Sequence, residues 1–172
     1  MKTLDISETS KWEQLCDDTS LENIPYRVEL SKHGQLVMSP HRSYHSIFQS
    51  RIIRSLNQLL PNGEAMPECP IETEEGVVVA DVAWASPEKV ERNFNLANWN
   101  ESPEIVVEVL SPSNSDDEIR NKRNAVFAQG AIESWLCDRN GKIQFFGRRG
   151  VLAKSRLCPE FPPSVAKTNL PK

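Results

Sequence analysis

The chain has 172 residues, 38% of them hydrophobic and 26% charged, which is enough for a core of ordinary size. Its formal charge is −4 and its isoelectric point about 5.5. That balance argues against a basic protein that coats nucleic acid nonspecifically, while leaving room for a local basic groove. The four cysteines, Cys16, Cys69, Cys137 and Cys158, lie far apart with no C-x-x-C pair, so a zinc cluster is not expected. Cys137, beside Trp135 and Leu136, reads as a small buried hydrophobe. No apolar run approaches the ~20 residues needed to cross a bilayer, and no secretory core follows Met1-Lys2. The expectation is a cytoplasmic protein with reduced thiols.

In chain order, Ser10-Lys11-Trp12-Glu13 has the form of a capping box and predicts a short helix running to about Asp17. "YRVELSKHGQLVMS" predicts two strands around a turn at His33-Gly34. The clearest helix spans residues 42–60: Phe48, Ile52, Leu56 and Leu59 form an apolar stripe, with Arg51, Arg54 and Asn57 on the solvated side. "AMPECPIE", the turn "TEEG" and "VVVADVAWA" predict a second hairpin. The polar, Asn-rich residues 86–102 form a connection long enough to carry a small helix or overhang a site. A strand "EIVVEVL" follows, then a helix from about Asp116 to Gln129 capped by Ser115 and Glu118. "IESWLCD" and "IQFFGR" flank Asn140-Gly141, a strong two-residue turn signal. The tail after Leu157, with Pro159, Pro162, Pro163 and Pro171, is expected to run extended over the surface. The fold class is α/β or α+β, a mixed central sheet flanked by helices, in a single domain with its core at about residues 25–165.

Two carboxylates interrupt apolar strands. Asp81 lies between apolar residues 77–80 and 82–85, and Glu108 sits inside "IVVEVL". Strands apolar on both faces belong in the middle of a sheet. A lone buried carboxylate there costs several kcal/mol or is driven to its neutral form. Each acid could pair with a buried arginine or cap a loop; alternatively, the two could share a divalent cation. Carboxylates without a His/Cys ligand set suit Mg²⁺ or Mn²⁺ better than Zn²⁺. Lys122 flanks the narrow face of its helix (Ile119, Val126, Gly130). It either forms an i,i+4 pair with Glu118 or places its ammonium near the end of the "EVL" strand. His45 falls on an apolar helix face, either as a satisfied core residue or as an oriented group at the rim of the same site. Arg120 and Arg123 read as solvated or phosphate-contacting residues. The common nucleotide-binding, zinc-protease and serine-hydrolase motifs are absent.

Taken together, "ADVAW" and "PEIVVEVLSPSNSDDEIRNKRNAVFAQGAIESWLCD" resemble the Uma-two family of restriction-endonuclease-like proteins, within the PD-(D/E)XK nuclease superfamily. "YRVELSKHGQLVMSPHRSYHSIFQSRI" is similar to the family's leader and its H-S helix, and "LCPEFPPSV" to its closing segment; the likeness covers about residues 25–165. It implies a mixed sheet flanked by helices and metal-dependent phosphodiester chemistry, with Asp81 as the motif aspartate and Glu108 as the second acid. The lysine normally two residues after that acid is absent, since position 110 is Leu, and Lys122 on the following helix occupies its role. Ala80 stands in place of the motif proline, Phe127 in place of a usual tyrosine, and Ser134-Trp135 in place of a Tyr-Trp pair. None of these changes removes a metal ligand.

The resemblance implies a Mg²⁺- or Mn²⁺-dependent DNA endonuclease. Asp81 and Glu108 would bind the ion with the Val109 carbonyl, Lys122 would orient water or stabilise developing charge, and His45 would assist. Arg120, Arg123 and the 86–102 connection are the expected phosphate contacts. Two alternatives stand beside it: an inactive nuclease-fold protein that binds nucleic acid or a partner protein, and an assembly module in which the "IQFF" hairpin is a homodimer surface.

Overall fold

The computed structural model describes residues 8–24, 26–40, 42–112 and 114–166. Its elements are α1 (Glu8–Cys16), β1 (Tyr26–Ser31), β2 (Leu36–Pro40), α2 (Ser43–Leu59), β3 (Glu64–Thr73), β4 (Gly76–Ala85), α3 (Pro87–Asn93), β5 (Ile105–Val109), α4 (Asp116–Ala128), β6 (Glu133–Cys137), β7 (Ile143–Gly147) and β8 (Gly150–Leu152). The expected mixed sheet is present, with eight strands in the order β2-β1-β4-β5-β6-β7-β8 and β3 also on β4. β5 and β6 run parallel and α4 is their crossover; the other pairings are antiparallel. Among the described residues no helix is long and apolar enough to cross a membrane.

β4 organises the sheet. β3 pairs along its whole length, from Glu64↔Ala85 to Thr73↔Gly76. A strand has only two edges, so β1 and β5 must share the other one. β1 takes its beginning, Leu30↔Val77 and Ser31↔Gly76, and β5 its end, Val82↔Val107 to Trp84↔Ile105. Residues 78–81 lie in the fork between them. Gly76 makes the join with β1 possible: its φ is +106°, and a Cβ there would stand 2.1 Å from the Leu30 carbonyl oxygen.

Both faces of the sheet are covered. Phe48, Ile52 and Leu56, spaced four apart on α2, pack on Val82, Val107, Trp135 and Phe145. Val126 and Phe127 of α4 pack on the other face with Ile71, Ala80, Val106 and Phe146. α4 starts at a capping box: Ser115 Oγ accepts from the Glu118 N–H, and a Glu118 carboxylate oxygen accepts from the Ser115 N–H.

Several expectations are corrected. α1 begins at Glu8, so Ser10 lies inside the helix rather than at its cap. Arg51 and Asn57 are not merely solvated: Arg51 Nη1 donates to the Val165 and Ala166 carbonyls, and Asn57 Oδ1 accepts from the Ala65 N–H. Gly130 ends α4 with φ +102° and would meet nothing with a Cβ, so it does not face the sheet. The strand β8 follows the third hairpin and has no counterpart in the expected elements. Phe145 and Phe146 are buried against the sheet's own neighbours, so neither side chain is presented for the homodimer surface expected of the "IQFF" hairpin.

The tail departs furthest from expectation. Cys158, Phe161 and Val165 enter the α2-side core, with the Phe161 ring 4.6 Å from that of Trp135. It docks on Gly141, whose φ of +79° closes the β6–β7 turn and whose carbonyl accepts from the Val165 N–H. Its other anchor is Glu133, a fully buried carboxylate. One Glu133 oxygen accepts from Trp135 Nε1 and Ser155 Oγ, and the other from the Arg156 and Leu157 N–H groups. Buried acceptors with this many donors are costly to weaken. Glu133→Gln is expected to lower stability by about 1–3 kcal/mol in urea unfolding; a loss below about 0.5 kcal/mol would show that the tail docks without it.

Candidate active site

The fork on β4 leaves peptide groups in need of partners, because buried N–H and C=O groups are almost always paired. Side chains supply them at Val79. Its N–H donates to Glu29 Oε1 at 3.0 Å, and its carbonyl accepts from Lys122 Nζ at 2.9 Å. Lys122 also donates to Glu29 Oε1 at 2.7 Å and to Glu108 Oε2 at 3.0 Å. An ammonium has three donors, and all three are in use. The i,i+4 pairing with Glu118 does not form; Glu118 is committed to the capping box. Lys122 instead reaches back to the end of β5, the second of the two placements its helix position allows.

Asp81 lies two residues further along β4 and is 1% exposed. The guanidinium of Arg27, from β1, donates through Nη1 to Asp81 Oδ1. Asp81 Oδ2 accepts from the Val109 N–H at 2.6 Å and lies 3.2 Å from Nε2 of His45. Gln49 Nε2 donates to the Asp81 carbonyl at 2.9 Å and to Glu68 at 2.6 Å. Both readings of His45 therefore meet: it is buried on the α2 face, and its ring addresses the site. Pairing of a strand acid with a buried arginine, one alternative for these carboxylates, holds for Asp81. Val109 enters through its N–H.

A cleft lined by Arg27, Glu29, His45, Asp81, Glu108, Val109 and Lys122 joins these groups. It also carries Ser111 and Asn114 from the β5–α4 loop, where Asn114 Oδ1 accepts from the Ser111 N–H and hydroxyl. Tyr44 OH ties α2 to the Leu110 carbonyl at 3.1 Å.

The two central acids differ in protonation. Burial opposes ionisation of Asp81, but the His45 hydrogen bond and the charges of Arg27, His45 and Lys122 outweigh it and bring its pKa down to about 2. Burial dominates at Glu108 and, against the pull of Lys122, pushes its pKa up to about 7. Glu108 Oε1 is buried and has no hydrogen-bond partner among the described residues. Perturbation in opposite directions within one cleft is a mark of functional sites.

The expected nucleic-acid contacts are not gathered here. Arg120 is exposed and pairs with Asp117 at 2.6 Å. Arg123 stacks over the Phe146 ring, its Cζ 4.0 Å from the centroid; it points along the sheet face rather than into the cleft. Residues 86–102 carry α3, as expected, but fasten to the outer edge of β3, where Trp99 exchanges hydrogen bonds with Pro70 and Glu72. They cover a sheet edge and do not line the cleft. Arg27, Glu29, Gln49 and Glu68 are site residues that sequence reasoning missed. The available signal was Arg27 and Glu29 at i and i+2 on one face of a short strand, which in isolation reads as a solvated edge.

An eight-stranded mixed sheet with acids on its central strands and a lysine-bearing crossover helix defines a nuclease-type α/β fold. A family model described as "Uma2: Putative restriction endonuclease" matches residues 10–160, and the chain belongs to that family. Among solved structures it is similar to the crystal structure of "a putative nuclease belonging to DUF820" from Anabaena variabilis. Identity there is 15% and the TM-score 0.70, covering 89% of this chain and 93% of that one. No match was found among curated proteins.

The Glu108 shift has a measurable consequence. Between its ordinary 4.5 and the folded value of about 7, the folded state holds more protons than the unfolded one. Metal-free stability must therefore fall as pH rises through that window. His45, whose pKa is raised because the Asp81 hydrogen bond outweighs burial, adds a slope of the same sign. Glu108→Gln is expected to flatten the decline between about pH 5 and about pH 8 in urea midpoints. A slope unchanged by the substitution would contradict the assignment.

Proposed function

We propose that the chain is a divalent-metal-dependent endonuclease acting on DNA, with Mg²⁺ or Mn²⁺ held at the fork. The observation that carries this reading is Glu108 Oε1, a buried acceptor with no partner among the described residues, in the same cleft as Asp81. Charge supports it: Arg27 and Lys122 face four carboxylates, Glu29, Glu68, Asp81 and Glu108. With all four ionised and His45 neutral, two negative charges remain uncompensated, the complement of one divalent ion. Family membership supports nucleic acid as the substrate class.

Among the described residues no cluster of three or more His, Cys, Asp or Glu side chains could hold a metal. The ligand set is therefore lean: Asp81 and Glu108, with the Val109 carbonyl, and waters or a substrate phosphate completing it. That suits a hard cation that retains waters. Such an ion supplies Lewis acidity, acidifying water and screening charge on a phosphate.

The chain's own groups do the rest. Val109 N–H and His45 hold the Asp81 carboxylate in place, and Lys122 keeps Glu108 aimed while Glu29 and the Val79 carbonyl hold Lys122. Were Glu108 to help hold an ion, the Lys122 donor it now takes would be available to hold water or to stabilise charge developing on a phosphate. Arg120, exposed on α4, and Arg123, on the side of α4 that meets the Phe146 ring, are secondary candidates for contacts to the flanking backbone. A second reading, a nuclease-fold protein that binds nucleic acid or a partner protein without cutting, is favoured by the occupation of Asp81 by Arg27.

Plasmid cleavage in Mg²⁺ or Mn²⁺ separates the two. Asp81→Ala and Lys122→Ala are each expected to lower the rate by about 100-fold or more. Cleavage that persists in both variants would overturn the assignment, and salt-sensitive binding without turnover would favour the second reading.

A further inference from the structure

Arg27 is a charged group in the cleft that the proposed metal site does not explain. Its side chain is nine-tenths buried and is carried by β1, on the far side of the fork from Glu108. Nη1 donates to Asp81 Oδ1. The remaining nitrogens are poorly served: Nε lies 3.4 Å from Glu68 Oε2 and Nη2 3.7 Å from Glu29 Oε1, and neither makes a hydrogen bond to a described residue. A guanidinium placed for structure alone would use its fork of donors, because unmade buried bonds are costly. This one satisfies Asp81 and little else.

A second observation lies across the hairpin. Glu68 on β3 has φ +50°, a left-handed conformation that residues other than glycine rarely adopt. It falls between the pairs Pro67↔Val82 and Cys69↔Ala80, opposite Asp81. Gln49 holds it there with the nitrogen that also binds the Asp81 carbonyl. Strained backbone of this kind persists where the surroundings impose it, and it clusters at working sites. Here it sets a half-exposed carboxylate beside the Arg27 guanidinium, one step outward from Asp81.

We propose that Arg27 is the stand-in cation of the site: it neutralises Asp81 while no divalent ion is bound, and it transfers to Glu68 when an ion takes Asp81. This rests on the metal reading above. A guanidinium and a divalent ion on one carboxylate repel each other, so the ion's affinity is set by competition with Arg27. The free protein binds metal weakly, and Glu68 eases binding by receiving the displaced guanidinium. Arg27 acts here as a positioning residue, through Asp81.

Mn²⁺ titration of the full chain by calorimetry, without nucleic acid, tests the idea. Arg27→Gln is expected to tighten Mn²⁺ binding by about tenfold or more, to melt lower than wild type without metal, and to gain more in melting temperature when Mn²⁺ is added. Arg27→Lys, which keeps the competing charge, should stay near wild type. Glu68→Gln, which touches no metal ligand, should weaken binding several-fold. Equal or weaker binding by a folded Arg27→Gln, with wild-type binding still abolished by Asp81→Asn, would overturn the proposal and leave the metal reading intact. No Asp81-dependent binding in wild type or in Arg27→Gln would overturn the metal reading itself. If Arg27→Gln does not fold, the Arg27→Lys and Glu68→Gln arms decide: binding as tight in Glu68→Gln as in wild type contradicts the transfer.

Discussion

The shared edge of β4 is the constraint on which the rest of the structure depends. β3 occupies one edge completely, while β1 and β5 divide the other from opposite ends. The interval between them leaves the Val79 N–H and C=O without a strand on that edge, and an interior peptide group cannot go without a partner. Glu29 and Lys122 fill the interval. Charged groups therefore enter the middle of an apolar sheet, where each needs a counter-charge. Asp81, Glu108 and Arg27 belong to the same network, and removing any one of them leaves another buried charge exposed to the low dielectric.

The elements around the fork are placed to bring these charges from different directions. α2 covers one face and contributes His45, Gln49 and Tyr44. α4 covers the other, and its capping box fixes the turn from which Lys122 reaches back to β5. The β5–α4 loop closes the cleft with Ser111 and Asn114. The outcome is a site with opposed acids: Asp81 held ionised by its donors, and Glu108 held close to neutrality by burial. That asymmetry is what the proposed cation site would use to receive an ion and let it go again.

Much of this was legible in the sequence. A carboxylate in the middle of a strand apolar on both faces has no solvated interpretation, which is why Asp81 and Glu108 stood out. Both prove to be buried or nearly so and to line one cleft. The helices with regular apolar spacing and the hairpins with Gly-containing turns were equally readable, because their signals are local. Arg27 and Glu29 were not. β1 is only partly buried, so charges on it look like a solvated edge, and their burial depends on a pairing with β4 some fifty residues away. The tail was misread for a related reason: prolines announce an extended chain, but whether Phe161 and Val165 find a core depends on the surface that Trp135 and Gly141 present. Arg123 shows the limit of residue-type reasoning, since its type says nothing of the Phe146 ring over which it stacks.

The central claim is that the fork holds a divalent cation between the strand carrying Asp81 and the strand carrying Glu108. Anomalous diffraction from crystals soaked in Mn²⁺ tests it most directly. The account predicts a single strong manganese peak within bonding distance of both carboxylates, with the Arg27 guanidinium moved off Asp81 toward Glu68. Absence of manganese from the cleft, with Arg27 still on Asp81 at saturating Mn²⁺, would contradict it.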